Sequence, residues 1–492
     1  MSRRVLLPRR AAAAALLPLP TFRSRPALRS APRRTLVSAA HLQFGQPLHE
    51  THPHLIQAGE LTPGISALEY HHRRATLAQK LPRGGIAILA ASELKYRSGP
   101  VFYPFHQDPN FFYLTGFNEP DAVAVIEKGK SKVEYTFHLF VRGKDAQAEQ
   151  WDGARSGTQA ALDVFNADEA GDIEHLSTSL ADIVSGAQEV YTDIGSFGRK
   201  NALSRFFGGS NAKLDGFAKM LRDSTVRPLR PFMNELRLDK SEAELNCMRK
   251  AGSISGAVIT AAMKRGYETE KQLWADLAYG FKTQGLDGEA YVPVIGGGTN
   301  ALSIHYVRND ARLRNGDLVL VDAGGEYGNY ITDITRTWPV TGEFTGPQRD
   351  MYNMILQVQK SCVSLCREDA DVTLDKLHRI AEGGLKSGLK DLGFDTSRSD
   401  VMDVMFPHHV GHFIGLDVHD APGHPRTQRL REDQCITIEP GIYVPTDDER
   451  WPEHFRGIGI RIEDSVRIGK EQAEVLTRTA VKEVEEIESL RR

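Results

Sequence analysis

The apolar positions of this chain fall into short continuous runs and helically spaced stripes, which predicts strands interleaved with helices. From Ser66 to Lys80 the spacing is helical, with Leu68, His72, Ala75 and Leu77 set among Arg73, Arg74 and Lys80. The run Gly85 to Ala91 is apolar throughout and short enough for a buried strand. Residues 122–126, 135–141 and 190–192 read as further strands, separated by helical stretches over 157–164 and 173–184. Strands alternating with helices predict an α/β domain.

Pro228 and Pro231 then punctuate the chain, and a domain border is expected near residue 235. Ser241 with Glu244 makes an S-x-x-E capping pattern ahead of a long helical run to Ala262. A helix over 268–284, a Gly-rich turn at Gly296–Gly298 and several strands follow. Cys362 and Cys366 share a helical stripe with Met351, Met354, Ile355 and Val358, the pattern of a helix core rather than a redox or metal site. With Cys247 and Cys435 they are too few for a disulfide framework.

Charge changes the picture at one end only. Residues 1–49 hold nine arginines and no acid, the composition of a mitochondrial transit peptide, here assigned to 1–36. A basic tail or a secretory signal built on Ala11 to Leu17 are the competing readings. Removing those nine charges takes the formal net charge from −3 to −12, which argues against nucleic acid as a partner. No stretch approaches the roughly 18 apolar residues of a membrane span. Hydrophobic and charged contents of 40% and 25% are ordinary globular values, so the chain is expected to be soluble.

Candidate chemistry gathers in the second half. Asp317 to Gly324 is an apolar strand carrying Asp322 at its end, and Tyr330 to Trp338 returns after Gly325-Glu326-Tyr327-Gly328-Asn329. A turn centred between Tyr327 and Gly328 places Asp322 opposite Asp333. Like charges so opposed are destabilising and need a cation, a shared proton or solvent. Two more strands end in acids: Cys435 to Glu439, stopped by Pro440-Gly441, and Gly457 to Glu463. In the second, three isoleucines share one face and Arg461 and Glu463 the other, so Arg461 can orient a carboxylate. His412 lies between hairpin and strands, in G-H-F-I-G-L-D-V-H.

Together, Asp322 in V-D-A-G, Asp333 eleven residues on in T-D-I-T-R-T, His412, Glu439 in T-I-E-P-G-I-Y and Glu463 in I-G-I-R-I-E-D resemble a known ligand set. It is that of the aminopeptidase P and prolidase family, the pita-bread metallopeptidases. The segment Phe105 to Pro120 resembles the N-terminal domain of the aminopeptidase P branch. The resemblance implies a mixed α/β N-terminal domain over 66–235, after an extended linker at 37–65, and a pita-bread (creatinase/aminopeptidase) catalytic domain over 236–492.

So oxygen-rich a set suits Mn²⁺, Fe²⁺ or Co²⁺ more than a tetrahedral structural zinc, and the same resemblance implies a metalloaminopeptidase with two divalent ions, commonly manganese. Asp333 and Glu463 would bridge the ions, Asp322 would hold one, and His412 with Glu439 the other. Glu439 would also accept the proton of the nucleophile. His419, seven residues after His412, would stabilise the oxyanion or shuttle a proton. His305 and His408 would line the pocket beyond the scissile bond, with Arg461 and Tyr443 orienting the ligands. His378, His409 and His424 read as structural.

Peptide or protein N-termini are the expected substrates, with proline favoured at the second position. The arginine-rich N-terminus points to the matrix branch that trims one residue after presequence cleavage, and Arg34-Thr35-Leu36-Val37-Ser38 resembles such a site. Competing readings are a prolidase restricted to Xaa-Pro dipeptides, a creatinase-like amidinohydrolase, and a catalytically silent peptide-binding protein or chaperone. The intact ligand set weighs against the last two. The sequence leaves open whether the chain forms a homo-oligomer.

Overall fold

In a computed structural model, residues 43–131, 134–194, 220–221 and 224–492 are described. The expected presequence over 1–36, its trimming motif Arg34 to Ser38 and the start of the linker lie outside the described residues. Residues 43–66 run as turns and a short ribbon pairing Glu60–Thr62 with Ile65–Ser66.

Helix α1 (Ala67–Lys80) starts where the Ser66 hydroxyl accepts the Glu69 amide at 3.2 Å. Leu68 and His72 are exposed, and the buried face consists of Tyr70, Arg73, Arg74, Leu77 and Ala78. The two arginines tolerate burial because each is paired. Arg73 donates to the Tyr113 carbonyl and the Tyr330 hydroxyl, while Arg74 donates to the Leu114 carbonyl and covers the Phe137 ring.

Strands β1 (Gly85–Ala90), β2 (Val123–Lys128), β3 (Tyr135–Val141), β4 (Glu169–Asp172), β5 (Glu189–Tyr191) and β6 (Thr225–Arg227) form one sheet, ordered β6-β5-β1-β2-β3-β4. The centre is antiparallel, and β4, β5 and β6 join in parallel. Alternation sends Ala87, Leu89, Ile126 and Leu139 toward α1 and helix α2 (Pro109–Thr115). Ile86, Ile88, Val123 and Val125 go to the other face, under Leu176, Leu180 and Val184. The helix expected over 173–184 begins as a 3-10 turn at Ile173–His175 and becomes α-helical at Leu176–Ser185.

Helix α3 (Glu242–Met263) carries the expected reciprocal cap between Ser241 and Glu244, and Thr269 with Gln272 caps α4 (Glu270–Thr283) in the same way. Gly296 and Gly297 are not a turn. They finish strand β7 (Val294–Gly297), and the chain bends only afterwards, in the 3-10 helix Gly298–Leu302.

The central hairpin departs from expectation in register. Strand β8 (Leu318–Asp322) leads to β9 (Gly325–Tyr327), and the return is broken into β10 (Tyr330–Ile331) and β11 (Thr335–Pro339). Asp322 pairs with Thr335, not Asp333. The turn residues are Gly328 and Asn329, both left-handed at φ +58° and +66°, the geometry of a two-residue type I′ hairpin. This places the turn centre one residue later than expected and slides the return strand by two. Asp322 and Asp333 thus become diagonal neighbours on one face.

Strands β12 (Cys435–Ile438), β13 (Gly441–Tyr443), β14 (Gly459–Arg461) and β15 (Asp464–Arg467) repeat the device. β12 pairs with β15 and β13 with β14, leaving Glu439 and Glu463 in the breaks between. Asp333 occupies the equivalent break in the first hairpin. Helices α5 (Gly346–Ser364) and α6 (Leu374–Asp391) share one apolar core with these strands. Cys362 and Cys366 are buried in that core as free thiols, so the helix-core reading holds.

Candidate metal centre

A strand break frees a residue's side chain from the alternation of a continuous ladder, and three acids use this freedom to converge. Asp333, His412 and Glu463 each offer a ligand atom lying within 4.8 Å of the others. His412 Nε2 is 3.6 Å from Asp333 Oδ2 and 3.6 Å from Glu439 Oε1. Asp322 joins through Tyr291, whose hydroxyl donates to Asp322 Oδ1 at 2.7 Å and also to Asp333 Oδ1.

Backbone contacts set these positions. A Cβ at Gly324 would fall 1.8 Å from the Thr332 carbonyl oxygen, and one at Gly411 would fall 1.9 Å from that of Thr437. Only glycine lets the chain cross so close to the strands that carry these candidate ligands. Thr437 accepts the His412 amide at 3.1 Å and donates to Glu439 Oε1 at 3.3 Å. Ser465 grips the Asp333 backbone on both sides, accepting its amide and donating to its carbonyl. Thr335 donates to Glu463 Oε2 at 2.6 Å.

Arg461 lies behind the carboxylates. Its Nη2 donates to Asp322 Oδ2 at 2.5 Å, its Nε to Thr335 Oγ1 at 2.9 Å and its Nη1 to the Tyr443 hydroxyl at 2.7 Å. Tyr443 in turn lies 2.9 Å from His408 Nε2. Burial then sorts the acids. Desolvation and the charge of Asp333 push Asp322 up to about 6, and burial pushes Glu439 up to about 7 against the pull of His412 and Arg461. Glu463 goes well above the usual carboxylate range through burial and the charges of Asp333 and Glu439. Asp333 ends low, because His412, Tyr291 and Arg461 outweigh its burial.

One arginine and one imidazole thus face four carboxylates, and three of the acids resist ionisation. A divalent cation among them would favour the ionised carboxylates and relieve that repulsion. Nδ1 of His412 lies 3.0 Å from the Phe413 carbonyl, which leaves Nε2 toward the acids and available to a cation. The donor set fits oxygen-preferring cations.

The histidines singled out by sequence take different places. The His419 ring stands perpendicular to that of His412, with centroids 4.5 Å apart. Burial, His412 and His305 together hold it below its usual value. His408 is pushed to about 3 by burial and Arg461. His305 is exposed. His378 and His409 pack edge to face, 5.1 Å between centroids, and His424 packs against Phe413. Sequence reasoning missed Tyr291, Thr335, Thr437 and Ser465. A polar residue inside an apolar strand run signals Thr437; Thr335, set among Thr332, Asp333, Arg336 and Thr337, and Tyr291 leave no comparable trace.

The sequence profile of metallopeptidase family M24 matches residues 246–470, and that of the aminopeptidase P N-terminal domain matches 70–191. Intermediate cleaving peptidase 55 of Saccharomyces cerevisiae is 42% identical over 458 residues, 91% of this chain and 89% of its own. The chain belongs to metallopeptidase family M24. A solved structure of S. cerevisiae Icp55 covers 88% of this chain and 99% of its own at 40% identity, with a TM-score of 0.81. The Arabidopsis thaliana intermediate cleaving peptidase 55, mitochondrial, is 37% identical over 449 residues, 91% of this chain and 87% of its own. Zinc-substituted Escherichia coli aminopeptidase P, solved with product, covers 87% of this chain and 98% of its own at 34% identity and a TM-score of 0.79. This M24 enzyme is a metalloaminopeptidase, with an aminopeptidase P N-terminal domain ahead of a pita-bread catalytic domain.

Proposed function

We propose that this M24 enzyme removes a single N-terminal residue from imported proteins in the mitochondrial matrix after their presequences have been cut, with Xaa-Pro peptides as further substrates. The observation that carries this reading is the 42% identity to an intermediate cleaving peptidase across 91% of the chain. The acid-free N-terminus with nine arginines supports the compartment. The border proposed near residue 235 is supported by profile matches that lie on either side of it, at 70–191 and 246–470.

Asp322, Asp333, His412, Glu439 and Glu463 are the residues to hold two divalent ions, manganese being the choice that suits four carboxylates and one imidazole. Ions held there would lower the pKa of a bound water and polarise the scissile carbonyl. The chain's own groups supply the rest. Glu439 takes the proton of the attacking water, and His419 donates toward the oxygen that gains charge. Arg461 and Tyr443 fix the carboxylates that must not move. His305 and His408 border the space for the residue after the scissile bond.

N-terminal proteomics of mitochondria with and without this protein tests the substrate reading. The reading expects a set of matrix proteins to keep one extra residue at the N-terminus when the protein is missing. Identical N-termini in the two samples would rule out the trimming role.

A further inference from the structure

Glu270 is a carboxylate with no solvent exposure, far along the chain from every metal-ligand candidate and used by none of the chemistry above. It opens α4, where the helix N-terminus favours negative charge. All four hydrogen bonds of its carboxylate go to one excursion of the chain. Oε1 accepts the Gly297 amide and the Asn300 side-chain amide, each at 2.9 Å. Oε2 accepts the Tyr306 hydroxyl at 2.9 Å and the Ala311 amide at 2.8 Å.

The start, middle and end of the 297–311 loop therefore converge on a single carboxylate. Backbone bonds Glu270 N to Ala311 O and Leu313 N to Glu268 O zip the far end onto the same helix start. Buried Asn309 ties the loop back to strand β7 through the Ile295 amide and the Pro293 carbonyl. What this anchoring leaves on the outside is His305, exposed next to Tyr306. On its inner side Ala301 packs against Gly459, two residues from Arg461, so the loop borders the catalytic strands.

We propose that Glu270 is a positioning residue for substrate recognition, fixing the 297–311 loop so that His305 meets the part of the peptide beyond the scissile bond. The inference rests on the reading of His305 as a pocket residue. The Glu270 carboxylate bonds to the loop and to none of the metal-ligand candidates, so its effect is on binding rather than on the chemical step. A glutamine there keeps the volume but turns one acceptor into a donor facing N–H or O–H groups, which unsatisfies part of the set.

The test compares KM, kcat and bound metal for the manganese-loaded enzyme and its Glu270→Gln, His305→Ala and double variants, on an Xaa-Pro-Yaa tripeptide. The expected result is a KM raised about five- to tenfold in each single variant, with kcat changed less than about threefold and metal content unchanged. The double variant should match His305→Ala alone, because both changes act through one side chain. A normal KM in His305→Ala overturns the pocket reading and the inference with it. A raised KM in His305→Ala beside a normal one in Glu270→Gln, or full additivity in the double variant, overturns the inference alone. Should Glu270→Gln not fold, Tyr306→Phe and Asn300→Ala each remove one of its partners. A smaller KM rise in both supports the assignment, and wild-type KM in both refutes it.

Discussion

Arg461 Nη2 lies 2.5 Å from Asp322 Oδ2, a buried ion pair directly behind the carboxylate cluster. The same guanidinium reaches Thr335, which holds Glu463, and Tyr443, which meets His408. One guanidinium thus holds Asp322 directly and Glu463 through Thr335. Arg461→Met should lower metal affinity or activity by roughly 10–100-fold, as loss of groups that orient metal ligands does. Metal content after dialysis, read together with kcat/KM, checks it. Full metal retention with normal kcat/KM would remove Arg461 from the account.

Tyr291 tests the bridge between Asp322 and Asp333. Its hydroxyl donates to both, and Phe at this position removes the donor they share, leaving Asp322 only its bond to Arg461. Tyr291→Phe is expected to bind metal more weakly, with the fold intact by circular dichroism. Isothermal titration of the apo-protein with Mn²⁺ measures the difference. Unchanged affinity would mean the bridge does not orient the ligands.

Metal binding should also stabilise the fold, because the cation relieves repulsion among buried acids. At about 100 times its dissociation constant, Mn²⁺ adds about 2.7 kcal/mol to the unfolding free energy. Urea unfolding with chelator and with Mn²⁺ gives the number directly. Asp333→Asn should lose most of that increment, and an equal increment in the variant would locate the ion elsewhere.

Away from the site, Asp420 is held below the usual carboxylate range: burial would raise it, but Arg237 and Lys240 outweigh burial. Arg237 reaches Asp420 at 2.5 Å and Lys240 reaches it at 3.0 Å. Since the folded-state value lies below the unfolded one, the stability it contributes is complete above about pH 4 and is lost as pH falls through the folded value. Asp420→Asn leaves two buried cations short of a partner and should cost about 3–5 kcal/mol at pH 7. The variant should also show a flatter loss of stability below about pH 4. A parallel acid profile for the two proteins would contradict this origin of the pH dependence.

Much of this architecture was legible in residue order, and the exceptions have physical causes. The strands at 85–91 and 135–141 and the Ser241 cap follow from local patterns, and local patterns sufficed. Arg73 and Arg74 defeated the stripe of α1 because their partners, Tyr113, Leu114 and Tyr330, come from elsewhere in the chain. The hairpin register turned on Asn329 taking a left-handed conformation, a choice that composition permits without dictating. The acids were visible as polar ends of apolar runs. Their supports were not, since Tyr291 is 42 residues from Asp333, and Ser465 is 132 from it.

The central claim is metal-dependent release of one N-terminal residue, and mass spectrometry of a peptide panel tests it most directly. The panel holds Xaa-Pro dipeptides, Xaa-Pro-Yaa tripeptides and longer peptides beginning Tyr-Ser, Leu-Ser or Phe-Ala, incubated with the enzyme and Mn²⁺ or with chelator. The account predicts loss of a single residue from the tripeptides and the longer peptides, abolished by chelator and by Glu463→Gln. Cleavage confined to dipeptides, or cleavage that survives chelation, would contradict it.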